Sequence, residues 1–320
     1  MNKKIVVFGA SGFIGGHLLR KLVKEGNYKI VGVDLVSPKN PVPSVEYVIG
    51  DVRDLSSFDI DGDIQLVVNL AAIHKTPGHP EEAYYETNIL GAVEISKFAR
   101  RKNIHEIIFT SSISVYGPGE ETKTENSPLL PTSAYGWSKM IAEKAHLSWM
   151  EEATQNRLII CRPAVIFGAN EGGNFSRLTK LLKKGFFIYP GRKDTIKACF
   201  YVEDLIDALL FAWKQQERFV LFNGCYPDRF TIEEIVETFR ATHFPKVKTL
   251  LFPLKVILAI AAFLKPFSIV GLGIHPDRVM KLVRSTDVIP NWLQSKDVAK
   301  TNALIDAFDH WKKDSDGRFD

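Results

Sequence analysis

Cysteine is scarce: three in 320 residues, Cys161, Cys199 and Cys225, far apart and with no Cys-x-x-Cys pair. That excludes a disulfide framework and the common zinc spacings, and makes a reducing cytoplasm the default compartment. Charge of one sign never accumulates: 41 Lys and Arg against 37 Asp and Glu leave +4, with no block of five like charges. A polybasic arm for nucleic acid is therefore not expected. Long apolar runs are missing as well. The nearest, residues 256–264, sits between Lys255 and Lys265 and falls short of the roughly 18 residues of a membrane span. The wider stretch 250–264, with Phe267 and Ile269, is read as a buried helix or a dimer contact, in preference to a membrane-facing or lid helix. The opening Met1-Asn2-Lys3-Lys4 and the apolar residues 5–14 imitate a signal peptide, but Gly9, Ser11 and Gly12 inside that run suit a strand and turn. His74 and His79 flank Pro77-Gly78 without a second ligand pair, so no metal site is read. The remaining balance, 45% hydrophobic and 24% charged, is that of a globular chain with one large or two smaller domains.

Short Val- and Ile-rich runs at 4–8, 30–34, 46–49, 66–70, 106–110 and 158–162 are mostly apolar throughout, as strands buried on both faces are. Helical periodicity lies between them at 14–26, 80–101 and 134–153. Alternation of this kind predicts right-handed βαβ units, a doubly wound parallel sheet of the Rossmann type. Beyond residue 170 the alternation fades. Helices are expected at 175–184, 203–214, 231–240 (Thr231 as N-cap), 250–264, 276–284 and 297–312, and strands at 199–202 and 219–223. The reading is a dinucleotide-binding domain over 1–170 and a smaller, mostly helical substrate part over 171–320, with a soft boundary that some elements cross back to the main sheet.

The first strand runs into Gly9-Ala10-Ser11-Gly12-Phe13-Ile14-Gly15 and then a helix. Such glycines make the tight turn, let the backbone approach a pyrophosphate, and let helix pack on strand. The helix N-terminus offers free N–H groups and positive potential. Asp34 ends the second strand, 19 residues past Gly15, where a carboxylate accepts from a ribose 2′-hydroxyl and repels a 2′-phosphate. NAD is therefore favoured over NADP. Asp51, with Val52, reads equally as a contact to the adenine edge or as a helix N-cap. Small residues in Leu70-Ala71-Ala72 leave room for ribose and pyrophosphate.

Ser111-Ser112-Ile113-Ser114 follows the fifth strand, at the sheet edge where open α/β folds bind ligands. Tyr135 and Lys139, four apart on a helix, share a face. A phenol is a poor base at pH 7. A nearby ammonium and a cationic nicotinamide are expected to lower its pKa, while Ser112 holds the substrate oxygen.

With these motifs the chain resembles the extended short-chain dehydrogenase/reductase superfamily, specifically its NAD-dependent sugar-nucleotide epimerase/dehydratase group, clearly over 3–215. Asn88 in Thr87-Asn88-Ile89, Arg162-Pro163 and Tyr201-Val202-Glu203-Asp204-Leu205 fit as well. The resemblance implies NAD held by Gly9, Ser11, Gly12, Phe13, Ile14, Gly15, Asp34, Asp51, Val52, Leu70, Ala71, Ala72, Asn88, Tyr135, Lys139 and Pro163. It implies catalysis by Ser112, Tyr135 and Lys139, and a nucleotide-sugar substrate touched by Ser112, Ser114, Asn174, the main-chain N–H of Phe175, Arg192, Lys197 and Arg278. Similar enzymes that remove water carry Thr-Asp-Glu where this chain has Ser112-Ile113-Ser114, and the decarboxylating ones a Glu. That leaves a 4-epimerase, with a 4-keto-sugar reductase as the alternative and a cofactor-binding regulator without chemistry as a third reading. Val165 stands where many hexose epimerases have Asn, which points to a deoxy or acetamido sugar of a surface polysaccharide. A homodimer built on the helices at 80–101 and 134–153 is implied by analogy.

Overall fold

A strand that is apolar on both faces needs cover on both. The computed structural model supplies it. The structure describes residues 3–75, 78–257, 259 and 283–320. Its strands are β1 (Lys4–Phe8), β2 (Lys29–Asp34), β3 (Val45–Ile49), β4 (Ile64–Asn69), β5 (Glu106–Thr110), β6 (Gly119–Lys123), β7 (Arg157–Pro163), β8 (Val165–Phe167), β9 (Phe186–Pro190), β10 (Cys199–Tyr201), β11 (Phe219–Gly224), β12 (Lys248–Phe252) and β13 (Thr286–Val288). Seven form one parallel sheet in the order β3-β2-β1-β4-β5-β7-β11. The chain leaves β1 toward β2 and β3 on one side and returns past it to β4 on the other. The carboxyl ends of β1 and β4 therefore flank the topological switch point.

Helix α1 (Phe13–Glu25) and helix α6 (Val202–Lys214) cover one face, where Leu18, Leu19 and Leu22 meet Ile5, Val7 and Leu209. Buried His17 joins the two helices, its Nδ1 on Glu203 and its Nε2 3.0 Å from Ala169 O. The other face carries α2 (Glu81–Tyr85), a π-helical turn (Glu86–Leu90), α3 (Gly91–Arg101) and α4 (Ala134–Glu151), with Ile95, Phe98, Ala142 and Trp149 against Val6, Phe8 and Phe109. Helices α5 (Asn174–Lys183), α7 (Ile232–Thr242), α8 (Asn291–Ser295) and α9 (Leu304–Asp314) belong to the second half. Three two-stranded parallel sheets, β8–β10, β9–β12 and β6–β13, lie outside the main one.

Several expectations change. The segment at 199–202 pairs with β8 and not with the main sheet; β11 is the late strand that joins it. The span 80–101 is helical but carries a π turn around Asn88. The expected helix at 250–264 begins as strand β12, which ends at Phe252, and turns helical at 254–257 and 259; residues 258 and 260–264 lie outside the described residues, as does most of 276–284. The last helix starts at Leu304 and not at 297, because Asp297 and Asn302 take left-handed φ values of 54° and 53°, which an α-helix does not accommodate. No helix follows Asp51, so its N-cap reading fails; its side chain closes a turn onto Arg53 N at 2.9 Å.

Candidate active site

The Gly9–Gly15 loop is folded onto its neighbours more tightly than side chains permit. Gly9 has φ 83°, and a Cβ there would lie 2.7 Å from Ala71 N and 2.8 Å from Leu70 C. A Cβ on Gly15 would lie 2.3 Å from Gly9 O. The loop, the end of β4 and the start of α1 thus meet at backbone contact. α1 opens at Gly12 with no side-chain cap, which leaves its first N–H groups for an anion. Ser11 N donates to Asp34 Oδ2 at 2.9 Å, and Ser11 Oγ to Val36 O at 2.6 Å, so the β2 carboxylate sits against the loop. Phe13 and Ile14 lean on the core. These features fit a dinucleotide.

Asp51 is engaged by Arg53, whose Nε and Nη2 approach it at 2.6–3.0 Å; those bonds hold its carboxyl below the usual range. Val52 is buried against Gly91, where a Cβ would come within 3.1 Å of it. Asn88 is buried and fully used: Oδ1 accepts Ile73 N at 2.9 Å, while Nδ2 donates to Ile73 O at 3.1 Å and Ser138 Oγ at 2.8 Å. It fastens the segment after Ala72 to α4. Pro163 ends β7, opposite Gly224.

At the end of β5, extended Ser112 caps the short turn Ile113–Tyr116. Its Oγ accepts Ser114 N at 3.1 Å and lies 3.1 Å from Ser114 Oγ. α4 packs closely here because Gly136 has no side chain: a Cβ would fall 2.6 Å from Ser114 O. Tyr135 lies near enough to Ser112 for that hydroxyl to act on its phenol, and its ring lies edge-on to Tyr84 at 6.3 Å. Lys139 is buried, its Nζ donating to Thr110 O at 2.6 Å and lying 4.6 Å over the Phe109 ring. Ser112, Tyr135 and Lys139 therefore all lie where α4 meets the end of β5, Lys139 on Thr110 O and Tyr135 one turn before it. The expected pKa logic does not hold for the protein alone. Burial raises the Tyr135 phenol, opposed by the nearby Ser112 hydroxyl, and the Lys139 ammonium faces the Thr110 carbonyl. Burial also lowers Lys139 to about 7, with Glu143 pulling the other way.

Behind these groups is polar machinery that the motifs did not reveal. Glu143, one turn past Lys139, is buried and takes Arg162 through two bonds, 2.9 and 2.7 Å. Arg162 Nη1 donates to Tyr116 Oη at 3.0 Å, which donates to Asn223 Oδ1 at 2.7 Å. His146, a further turn along α4, sits between Asn69 Nδ2 at 3.1 Å and Ser96 Oγ at 3.2 Å. Ser96 Oγ already donates to Ala92 O, so it accepts from Nδ1–H and leaves Nε2 as the acceptor for Asn69. Burial, then Lys139, lowers His146 to about 3. The spacing of four from Lys139 to Glu143 was the available signal for that residue; nothing marked His146. Two buried polar atoms at these strand ends, Asn69 Oδ1 and Ser111 Oγ, have no partner among the described residues.

The expected substrate residues divide. Asn174 opens α5, but the Phe175 ring turns into the core, stacked on Phe167 at 4.5 Å. Glu171 Oε2 accepts Ser176 N at 3.0 Å at the same helix end. Arg192 pairs with Asp194 at 2.8 Å and Glu120 at 3.1 Å. Lys197 donates to Arg284 O at 2.5 Å, and burial lowers it to about 8. These two cations gather around Glu120 of β6, not around Tyr135. Arg278 lies outside the described residues. Among the described residues no group of three or more His, Cys, Asp or Glu could hold a metal ion, and no helix is long and apolar enough to cross a membrane.

The model of the NAD dependent epimerase/dehydratase family matches residues 5–223. A curated relative, the N-acetyl-alpha-D-glucosaminyl-diphospho-ditrans,octacis-undecaprenol 4-epimerase of Escherichia coli O157:H7, is 33% identical over 216 residues, which are 67% of this chain and 64% of the relative. The chain thus covers less than two thirds of that protein's length. Among solved structures, the UDP-Glc/GlcNAc 4-epimerase from Campylobacter jejuni superimposes with a TM-score of 0.74 over 99% of both chains at 17% identity. The UDP-glucuronic acid 4-epimerase from Bacillus cereus in complex with NAD gives 0.67 over 79% of this chain and 88% of its own, at 23% identity. Likeness at these identities speaks to the fold.

Proposed function

Since this chain belongs to the NAD dependent epimerase/dehydratase family, we propose that it is a 4-epimerase of a sugar carried on a diphosphate, in the first place a nucleotide sugar. The observation that carries this is the placement of Ser112 and Tyr135 with buried Lys139 at the carboxyl end of β5, next to the glycine loop. NAD, held along Gly9–Gly15 with its ribose on Asp34, supplies the acceptor for transient oxidation of the sugar carbon and returns what it takes. Asp51, Val52, Leu70, Ala71, Ala72, Asn88 and Pro163 line the rest of its path. With the cationic nicotinamide beside it to favour ionisation, the Tyr135 phenolate would take the proton from the sugar hydroxyl and give it back when the carbon is reduced from its other face, so no net proton is consumed. Ser112 holds that oxygen, with Ser114 beside it. Lys139, fixed by Thr110 O, holds its position under Tyr135 and offers an N–H to ribose hydroxyls.

The diphosphate falls to Asn174 and the Phe175 N–H, with Arg192, Lys197 and Arg278 as further cations; Arg192 can leave its carboxylates and Lys197 its carbonyl for a phosphate oxygen. The cofactor domain spans 1–170 and the substrate part 171–320. A cytoplasmic homodimer joined through α3 and α4 is supported by exposed Leu90 and Trp137 at their starts. The relative from Escherichia coli names a polyprenyl diphosphate as its sugar carrier, and that substrate class is the second reading, in keeping with surface-polysaccharide synthesis.

The test starts from the purified protein with nothing added. Denaturation should release stoichiometric NAD(H). The intact protein should then interconvert C4 epimers of UDP- or GDP-sugars, or of a polyprenyl-diphosphate-linked acetamido sugar, without net cofactor use. An empty protein that consumes NADPH with a 4-keto sugar would instead make it a reductase. Binding of neither cofactor would leave a regulator without chemistry.

A further inference from the structure

Acidic residues are distributed unevenly along this chain. Residues 172–193 and 238–257 contain ten Lys and Arg and no Asp or Glu, where the chain average would put about five acids; the rest of the chain is net negative. The fold brings these two segments together. The first forms α5 and β9, the second β12 and the turn after it, and β9 pairs with β12 in parallel. One side of this two-stranded ribbon is buried through Phe187 and Tyr189. The other side is open. Phe186 and Ile188 alternate with the buried pair and are 47% and 42% exposed, and Leu250, in register with Ile188, is 56% exposed. Leu181 of α5 and Val256 after β12 are exposed as well.

The cations stand around it. Lys180 and Lys184 precede β9, Lys246 precedes β12 and Lys248 starts it, and Lys255 follows it; all five are exposed, and none pairs with a carboxylate among the described residues. The cations that are compensated by carboxylates, Arg192, Lys193 and Arg240, pair with Glu120, Asp194, Glu233 and Glu237.

We infer that this ribbon docks on an anionic lipid bilayer. Exposed Phe, Ile and Leu side by side favour a partner with an apolar layer. Lysines around them can lay their stems along that layer and leave their ammonium groups among phosphate headgroups. A second copy of the chain would bring the same uncompensated lysines face to face, so charge complementarity selects an anionic surface over self-association. The inference does not depend on the reaction. It requires only that the face meet the cytoplasmic leaflet, where anionic lipids attract such clusters.

The test is flotation of the full chain with phosphatidylcholine vesicles, with and without phosphatidylglycerol. The protein should float with the anionic vesicles at low salt, stay behind with neutral ones, and be released as salt is raised. Lys180→Glu/Lys184→Glu/Lys248→Glu/Lys255→Glu should cut the bound fraction at least tenfold. Leu250→Gln should cut it several-fold while the thermal midpoint and NAD content stay at the wild-type level. Absence of binding to anionic vesicles would overturn the inference, as would equal binding by the charge-reversed variant. Salt-independent dimerisation abolished by Leu250→Gln would also overturn it, by making the face an interface between copies.

Discussion

Tyr135 and Lys139 each sit in the protonation state that burial dictates. The phenol is raised and holds its proton at neutral pH; the amine is lowered to about 7 and half holds its own. Removing the phenol removes the group beside Ser112 that is assigned to exchange a proton with a sugar hydroxyl. Tyr135→Phe should therefore lower turnover by about 10²–10⁴-fold with the released NAD(H) unchanged, as measured by epimer analysis alongside cofactor content. Full activity in that variant would remove Tyr135 from the chemistry. Lys139 gives a pH signature. Its ordinary value is 10.5 and its folded value about 7. Below 7 both states carry the proton and stability does not respond. Between these values the unfolded chain still holds a proton that the folded chain has released, so stability rises with pH. The slope from this group is at most about 1.4 kcal/mol per pH unit. Lys197, lowered to about 8, adds in the same sense. Denaturant midpoints of the cofactor-free protein should climb from pH 7 to 9, and Lys139→Met should flatten the climb while Lys197 keeps part of it. Equal slopes would mean that Lys139 is not depressed.

Helix α4 is the element that organises the site. Tyr135, Ser138, Lys139, Glu143 and His146 fall at helical spacing on one inward face, so this helix turns polar groups toward the sheet where α3 turns Ile95 and Phe98. That face was only partly legible beforehand: Tyr135 and Lys139 were recognised by their motif, whereas Glu143 and His146 look like ordinary surface residues until Arg162, Asn69 and Ser96 are brought opposite them. The buried strands were legible to within two residues, because runs apolar on both faces have one stable location. The short strands β6, β8, β9, β12 and β13 were not, since their pairing depends on partners distant in sequence. β6 reads Gly-Glu-Glu-Thr-Lys and is recruited by polar contacts, Thr122 Oγ1 to Asp287 at 2.7 Å and Ser285 Oγ to Glu120 at 2.8 Å. The Glu143–Arg162 pair joins α4 to β7 in the interior, where losing one partner strands a charge. Arg162→Met should destabilise by about 3–5 kcal/mol. Glu143→Leu/Arg162→Met should recover most of that loss in urea unfolding, and a double variant as unstable as the single would show that the pair matters through its outer bonds to Tyr116. Asn88→Ala, which frees Ile73 N and O at once, should cost about 2 kcal/mol and speed amide exchange at Ile73.

At the scale of the whole molecule, the sheet supplies the site's floor and a single aromatic cluster supports its far wall. Phe167 of β8, Phe175 of α5, Phe239 of α7, Phe308 and Trp311 of α9 and Phe319 near the chain end pack together, with Phe239 and Phe308 stacked at 3.7 Å. Phe319 is held by Ser315 Oγ on its N–H at 2.8 Å and by Thr179 Oγ1 on its carbonyl at 3.0 Å, and Asn170 N donates to Asp320 O at 2.6 Å. The last residues therefore lock α5 from behind, and α5 begins with Asn174. Phe319→Ala should open a cavity beneath α5 and destabilise by about 3–5 kcal/mol. The cavity lies on the α5 side and not beside Ser112 or Tyr135, so its kinetic effect should be unequal. KM for the sugar diphosphate should rise several-fold, while kcat and bound NAD(H) change little at a temperature where the variant is folded. A fall in kcat at constant KM would show instead that the cluster acts through the sheet on α4, and that the substrate wall and the catalytic helix move as one body.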